Sequence, residues 1–330
     1  MMIRARGLRQ TFQSRKGREK VEVHAVAGVD IDVAEGEVVG FLGPNGAGKT
    51  TTLRMLTTLL RPTAGEATVA GYDVVTQSAE VRRRIGYVSQ VGSTGSETRA
   101  GEEVVDHAML YGMSRADATS HARTLFDELE LDGLWDRKCA KMSGGQRRRL
   151  DVVMGLVHSP SLVFLDEPTT GLDPQARANL WQHIRGLRER RGATVFLTTH
   201  YLDEADALSD RIVIIDHGQV VAEDTAENLK RQVSGDLVEI EVADPARVAD
   251  AAGVLDRAMR SGAGPSGRAP GEVTVDENRL AARIDRAALA LPDIVRGMDS
   301  AGITLVSVDV TRPSLDDVFL DLTGRSLRDS

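Results

Sequence analysis

Residues 43–50 read Gly-Pro-Asn-Gly-Ala-Gly-Lys-Thr, a G-x-x-x-x-G-K-[ST] pattern whose residue types suit the grip of a phosphate chain. Glycines let the backbone turn several N–H groups toward one anion. Lys49 brings a cation for the terminal phosphates, and Thr50 brings a hydroxyl for Mg²⁺. The apolar run at 38–42 and the helix-like run at 51–60 flank the loop as strand and helix, and the helix adds its positive end.

Other candidates lie further along. Ser143-Gly144-Gly145-Gln146 opens a helix and reads either as a plain Ser N-cap or as a second anion-binding end. One phosphate loop needs no second such end in the same chain, so the latter reading calls for a second subunit whose nucleotide it covers. Residues 162–168 are an apolar run closed by Asp166 and Glu167. The first acid is placed at a strand end to hold Mg²⁺ or its water. The second would face the γ-phosphate and polarise water, with burial raising its pKa toward that of a useful base. His200 follows the run 194–199, at the strand edge where parallel sheets bind ligands. Gln90 closes 85–89 and would reach Mg²⁺ and the attacking water. Phe12 reads as a core residue or as a platform for adenine. Asp173, in Gly171-Leu172-Asp173, would bridge to an opposite subunit.

These residues need a sheet with its carboxyl ends aligned. The runs 162–165, 194–197 and 212–215 are apolar without alternation, as strands covered on both faces are. Helical stretches at 174–190 and 202–208 separate them, which implies a parallel sheet with helices on both faces. Residues 1–42 alternate short apolar runs with turns, and 13–20 read as an exposed hairpin loop. From 80 to about 160 the pattern is mainly helical, with 121–131 and 146–158 at three-to-four spacing. The character changes near 234. Strand-like 237–242, helix-like 246–259, a hairpin from 272–275 and 279–284, a helix at 287–298 and a strand at 303–310 give β-α-β-β-α-β, a ferredoxin-like order. Residues 261–271 read as a flexible Gly/Ser/Pro loop, and 314–323 as a capped helix.

The chain has 330 residues, a length for two domains, with 41% hydrophobic and 27% charged residues. Aromatics are only 4%, so the core must come mainly from Leu, Val, Ile and Ala. A net charge of −8 argues against an electrostatic nucleic-acid binder, and the triplets Arg82-Arg83-Arg84 and Arg147-Arg148-Arg149 read as solvated helix faces. One cysteine, Cys139, cannot form an internal disulfide, and a reducing compartment is expected. No run approaches eighteen apolar residues, and the first residues lack a secretion-signal pattern.

Taken in order, Phe12, the loop 43–50, Gln90, 143–146, Asp166-Glu167, Asp173 and His200 resemble the ATP-binding-cassette ATPase family over residues 1 to about 230. The ending 313–324, with Arg82-Arg-Arg-Ile85 and Tyr201-Leu-Asp-Glu-Ala205, resembles the subgroup of daunorubicin/doxorubicin-resistance ATPases. The resemblance implies a P-loop cassette at 1–230 with a helical subdomain at about 91–160, and an accessory or regulatory domain at 235–330. It implies ATP and Mg²⁺ as ligands. Gly43, Pro44, Asn45, Gly46, Ala47, Gly48, Lys49, Thr50 and Thr51 would hold the nucleotide, with Phe12, Asp173 and Ser143 to Gln146 completing the pocket. Thr50, Gln90 and Asp166 would surround the metal, and Glu167, His200 and Gln90 would carry hydrolysis. It further implies a head-to-tail homodimer and a separate permease, with the chain peripheral on the cytoplasmic membrane face. A soluble ATPase of this type acting on ribosomes or DNA is the rival reading, although such forms usually join two cassettes. Two departures stand out: Met142 replaces the usual leucine, and 91–101 is atypical where the family's ATPases meet the membrane subunit.

Overall fold

The computed structural model describes residues 1–16, 19–92, 94–95, 97–233, 235–261, 273–284 and 287–326. The described chain divides into two compact units, residues 1–226 and 227–326.

In the first unit, β1 (Ile3–Lys16), β2 (Glu19–Val33), β3 (Val38–Leu42) and α1 (Lys49–Leu56) come first. They are followed by β4 (Ala64–Val69), β5 (Tyr72–Asp73), α2 (Ser78–Arg84) and β6 (Ile85–Val88). Three helices follow, α3 (Ala100–Leu110), α4 (Arg115–Glu128) and α5 (Gly144–Leu156). Strand and helix then alternate through β7 (Leu162–Asp166), α6 (Pro174–Arg191), β8 (Thr194–Thr199), α7 (Leu202–Leu208) and β9 (Arg211–Asp216) to β10 (Gln219–Asp224), and α8 (Ala226–Gln232) starts at the last residue of this unit and belongs otherwise to the second.

The central sheet runs β10-β9-β3-β8-β7-β6. Its inner strands pair in parallel, Phe41 opposite Thr198 and Leu165 opposite Leu197, and β10 closes one edge antiparallel. Every residue of β3, β7 and β8 is buried, which explains their unbroken apolar runs. Alternate residues feed two cores. Phe41, Phe164 and Phe196 pack on one face at centroid distances of 5.5 and 5.7 Å. On the other, Val163, Leu165, Val195 and Leu197 join Leu125, Phe126, Leu150 and Val153 of the helical segment. The aliphatic core expected from composition is present, yet three of the few aromatics occupy the sheet's centre. Cys139, in the turn before α5, is buried and free.

A second, antiparallel sheet, β2-β1-β4-β5, carries the N-terminal strands. Residues 13–16 and 19–20 are not the expected loop: β1 and β2 continue to pair through Ser14–Val21 and Lys16–Glu19. Backbone pairing extends this hairpin where charged side chains give no alternation. Residues 17 and 18 lie outside the described residues. The helix expected at 51–60 ends at Leu56, because Thr58 takes φ 65°.

The second unit contains β11 (Asp236–Val242), α9 (Val248–Ser261), β12 (Thr274–Asp276), β13 (Arg279–Ile284), α10 (Ala287–Ser300), β14 (Leu305–Thr311) and α11 (Leu315–Thr323). Its sheet order is β12-β13-β11-β14 with every neighbour antiparallel, the ferredoxin-like arrangement. Val238, Ile240 and Val242 of β11 point into a core with Ala251, Leu255, Ile294 and Met298 of the two helices. The loop expected at 261–271 lies, beyond its first residue, outside the described residues. The helix expected at 314–323 is α11, with Ser314 and Asp317 forming a capping box.

Among the described residues, no helix is long and apolar enough to cross a membrane.

Candidate active site

The carboxyl ends of β3, β7 and β8 lie side by side, so the loop after each opens on one sheet edge, where parallel sheets hold ligands. The loop after β3 is 43–50. Gly48 takes φ 104°, and a Cβ there would stand 2.4 Å from the Ala25 carbonyl oxygen, so only glycine fits. Gly48 also precedes α1 without a side-chain cap, which leaves that helix's first amides for an anion. Lys49 is buried and its Nζ donates to the carbonyls of Gly43 (2.7 Å) and Pro44 (2.9 Å). Asn45 and Gly46 are exposed at the loop's crest, and Thr50 and Thr51 are half-buried.

The loop after β7 carries the acids. Asp166 Oδ1 accepts from Thr50 Oγ1 at 3.0 Å and from Thr198 Oγ1 at 2.7 Å. Glu167 takes φ 45°, a left-handed conformation that non-glycine residues adopt only when held. Its amide donates to the Thr198 carbonyl (3.1 Å) and hydroxyl (3.0 Å). Four groups surround its carboxylate: Gln90 Nε2 at 2.9 Å, Thr170 Oγ1 at 3.1 Å, His200 Nδ1 at 3.3 Å and Lys49 Nζ at 3.5 Å. The His200 contact is close in distance but poorly directed for a hydrogen bond.

This company reverses one expectation. Burial does push the Glu167 carboxyl up, but the His200 imidazole foremost, then the Lys49 ammonium and the Thr170 hydroxyl, hold it down at about 2. Lys49 in turn sits below the ordinary lysine value, chiefly through burial, with Glu167 opposing. Each ion offsets part of the other's cost of leaving water.

The remaining candidates are placed apart from this cluster. Ser143 Oγ accepts from the Gln146 amide, and Gln146 Oε1 accepts from the Ser143 amide, a complete capping box for α5. Gly144 is exposed and Gly145 half-buried beside it. Asp173 caps α6 by accepting from the Ala176 amide at 2.9 Å. Phe12, on β1 opposite Val23, is 40% exposed, so its reading as a core residue fails.

Sequence reasoning missed three members. Thr198 lies inside the run 194–199 and Thr170 just past the Asp166-Glu167 pair, and neither threonine carries a motif of its own. Arg148 belongs to a triplet whose pattern predicts a solvated helix face, but it is buried and donates to the main-chain carbonyls of Ser89, Asp166, Glu167 and Pro168. The available signal was helical spacing: Arg148 stands four residues before Val152, on the stripe that α5 buries.

Comparison with known proteins matches the family described as ABC transporter to residues 26–170. The chain is 41% identical over 305 residues to the daunorubicin resistance ATP-binding protein DrrA2 of Streptomyces coeruleorubidus, covering 92% of this chain and 91% of that one. It belongs to the ABC transporter family. This ABC protein is also 39% identical over 330 residues to the doxorubicin resistance ATP-binding protein DrrA of Mycobacterium tuberculosis, covering 98% of this chain and 94% of that one. Its fold matches a dimeric ATP-binding cassette solved in a post-hydrolysis state with ADP and Pi, at 27% identity and a TM-score of 0.61 over 68% of this chain and 98% of that one. The ABC cassette identifies the bound substrate as ATP and the activity as its hydrolysis to ADP and phosphate.

Proposed function

We propose that the chain drives efflux of a hydrophobic drug-like compound by hydrolysing ATP as a head-to-tail homodimer, against a separate membrane permease on whose cytoplasmic side it is peripheral. The observation that carries the hydrolytic part is the convergence of Lys49, Gln90, Thr170 and His200 on the Glu167 carboxylate, beside Asp166 and the phosphate loop. The export part rests on relatives named for drug resistance that align along both units of this chain.

In this reading residues 1–230 are the hydrolysing domain and 235–330 an accessory, regulatory one. The loop amides and Lys49 hold the β- and γ-phosphates. Phe12, exposed on its strand, offers a face for adenine. Thr50 hydroxyl, Asp166 carboxylate and the Gln90 amide are hard oxygen donors, a set suited to Mg²⁺. Among the described residues no cluster of three His, Cys, Asp or Glu could hold a metal unaided, which fits an ion carried in with phosphates and water. When bound, the ion neutralises phosphate charge.

Glu167 receives the proton of the attacking water. In its present company it is a weak base, because His200 and Lys49 hold its pKa near 2. A γ-phosphate that draws Lys49 and His200 toward itself loosens that hold and raises the carboxylate's basicity where water attacks. His200 thereby senses the phosphate. Ser143, Gly144 and Gly145 of a second copy close the pocket, and Asp173 lies where the two copies meet. Closure followed by hydrolysis does work on the permease, through the Gln90 loop, only if ATP binds the closed dimer more tightly than the open one.

The test is affinity capture from detergent extract together with sizing of Glu167→Gln in ATP and Mg²⁺. A trapped dimer and a co-purified polytopic permease are expected. A strictly monomeric variant, or capture of ribosomes in place of a membrane protein, overturns the reading.

A further inference from the structure

Arg148 is 7% exposed, five residues past the Ser143 cap of α5. Its planar guanidinium is directed at the main chain. Nε donates to Pro168 O at 2.6 Å, Nη2 to Asp166 O at 3.1 Å and Glu167 O at 3.3 Å, and Nη1 to Ser89 O. Three of these carbonyls are the backbone of the acidic segment, and the fourth is the residue before Gln90. Asp151 and Asp166 are the strongest opposite charges on the guanidinium, followed by Glu204. The Asp151 carboxylate also abuts the Gln90 loop, since a Cβ on Gly92 would lie 3.0 Å from its Oδ2. Thus α5 holds that loop at Ser89 and packs close to it at Gly92, and the side chain that bonds Ser89 also holds the backbone of Glu167.

We propose that Arg148 is a positioning residue for hydrolysis: it fixes Glu167 and Gln90 to each other by clamping the backbones of both onto α5. The inference rests on the reading of Glu167 as the proton acceptor. Three considerations carry it. The φ of Glu167 is one that a non-glycine residue keeps only under outside restraint. Thr198 restrains its amide, and Arg148 restrains its carbonyl. The 2.9 Å bond from Gln90 to Glu167 joins two loops whose only shared cation on the main chain, among the described residues, is this guanidinium. A fork of five N–H groups can serve four carbonyls at once, and an ammonium cannot.

Arg148→Met and Arg148→Lys test it, with steady-state kinetics and with turnover normalised to the fraction of chains that bind a fluorescent ATP analogue. Arg148→Met is expected to lose about 30-fold in kcat with KM for ATP changed less than about threefold, and Arg148→Lys to recover part of the loss. A role confined to folding lowers the binding-competent fraction and leaves kcat per bound nucleotide at the wild-type value, and that result overturns the proposal. If Arg148→Met fails to fold, Asp151→Asn keeps the guanidinium but loosens its orientation. A fall of about threefold or more in kcat at unchanged KM supports the clamp, and wild-type kcat rejects it. Glu167→Gln separates the two layers. Wild-type turnover in that variant removes the reading of Glu167 itself, whereas a silent Glu167→Gln beside a fully active Arg148→Met removes only the clamp.

Discussion

Lys49 Nζ stands 3.5 Å from Glu167 Oε1, and less than a tenth of either side chain reaches solvent. The phosphate loop and the acid at the end of β7 are therefore one electrostatic unit. Glu167→Gln keeps the shape and removes the carboxylate proposed to accept the proton. Turnover should fall by roughly 10²–10⁴-fold while ATP remains bound. Phosphate release at saturating ATP, beside equilibrium nucleotide binding, measures the two quantities. Wild-type release contradicts the assignment.

Lys49→Ala acts on the other half of the pair. It removes the buried cation of the phosphate loop, and ATP affinity should weaken by about tenfold or more, as expected for a lost charge-assisted contact. It also strips one of the groups that hold the Glu167 carboxyl down, so that acid should titrate higher than in the wild type. Calorimetric titration with ATP decides the first point, and an unchanged Kd rejects the loop's role.

Gly144→Asp separates folding from dimer closure. A Cβ on Gly144 meets nothing within 4 Å, and an acid in the first turn of α5 suits the helix's positive end. The melting temperature should move by no more than about 2 °C. ATP-dependent self-association should nevertheless be lost, because the new carboxylate would meet the partner's phosphates. Sizing in ATP with the Glu167→Gln background reads this directly, and a dimer that survives counts against a shared pocket.

His158 predicts an acid-sensitive fold. Its ring stacks on Tyr111 at 3.8 Å, Nε2 donates to Ile85 O at 3.0 Å, and Nδ1 is buried without a hydrogen-bond partner. Burial pulls its pKa from 6.5 to about 4. Between those values the unfolded chain takes up a proton that the folded chain refuses, so stability falls as pH drops through that window and is level above it. His158→Gln should remove about 2 kcal/mol of the stability difference between pH 7 and pH 5. Urea midpoints of both proteins at the two pH values test the sign. Equal pH dependence contradicts it.

Local chemistry explains what could be read in the sequence. Asp166, Glu167 and His200 each follow a run whose lack of alternation marks a strand covered on both faces, and the loop from Gly43 to Thr50 and Gln90 likewise follow short apolar runs, so element and site were legible together. Arg148 was hidden between two other arginines, and only the docking of α5 decides which of the three turns inward. The sign of the Glu167 shift was equally hidden. Burial and the neighbouring His200 and Lys49 oppose each other, and their balance depends on distances of 3.3 and 3.5 Å set by residues from separate strands and loops. The β1–β2 hairpin ran past its expected end because backbone pairing needs no apolar side chains.

The chain's one thiol, on Cys139, is sealed at 1% exposure, and burial pushes its pKa up. Thiol reagents should therefore pass over the native chain, since the thiolate is the form that reacts. A single cysteine placed at exposed Asp173 or Gly144 would take a spin label or a cross-linker without background. Two such copies would form a molecular ruler that reports opening and closing in real time.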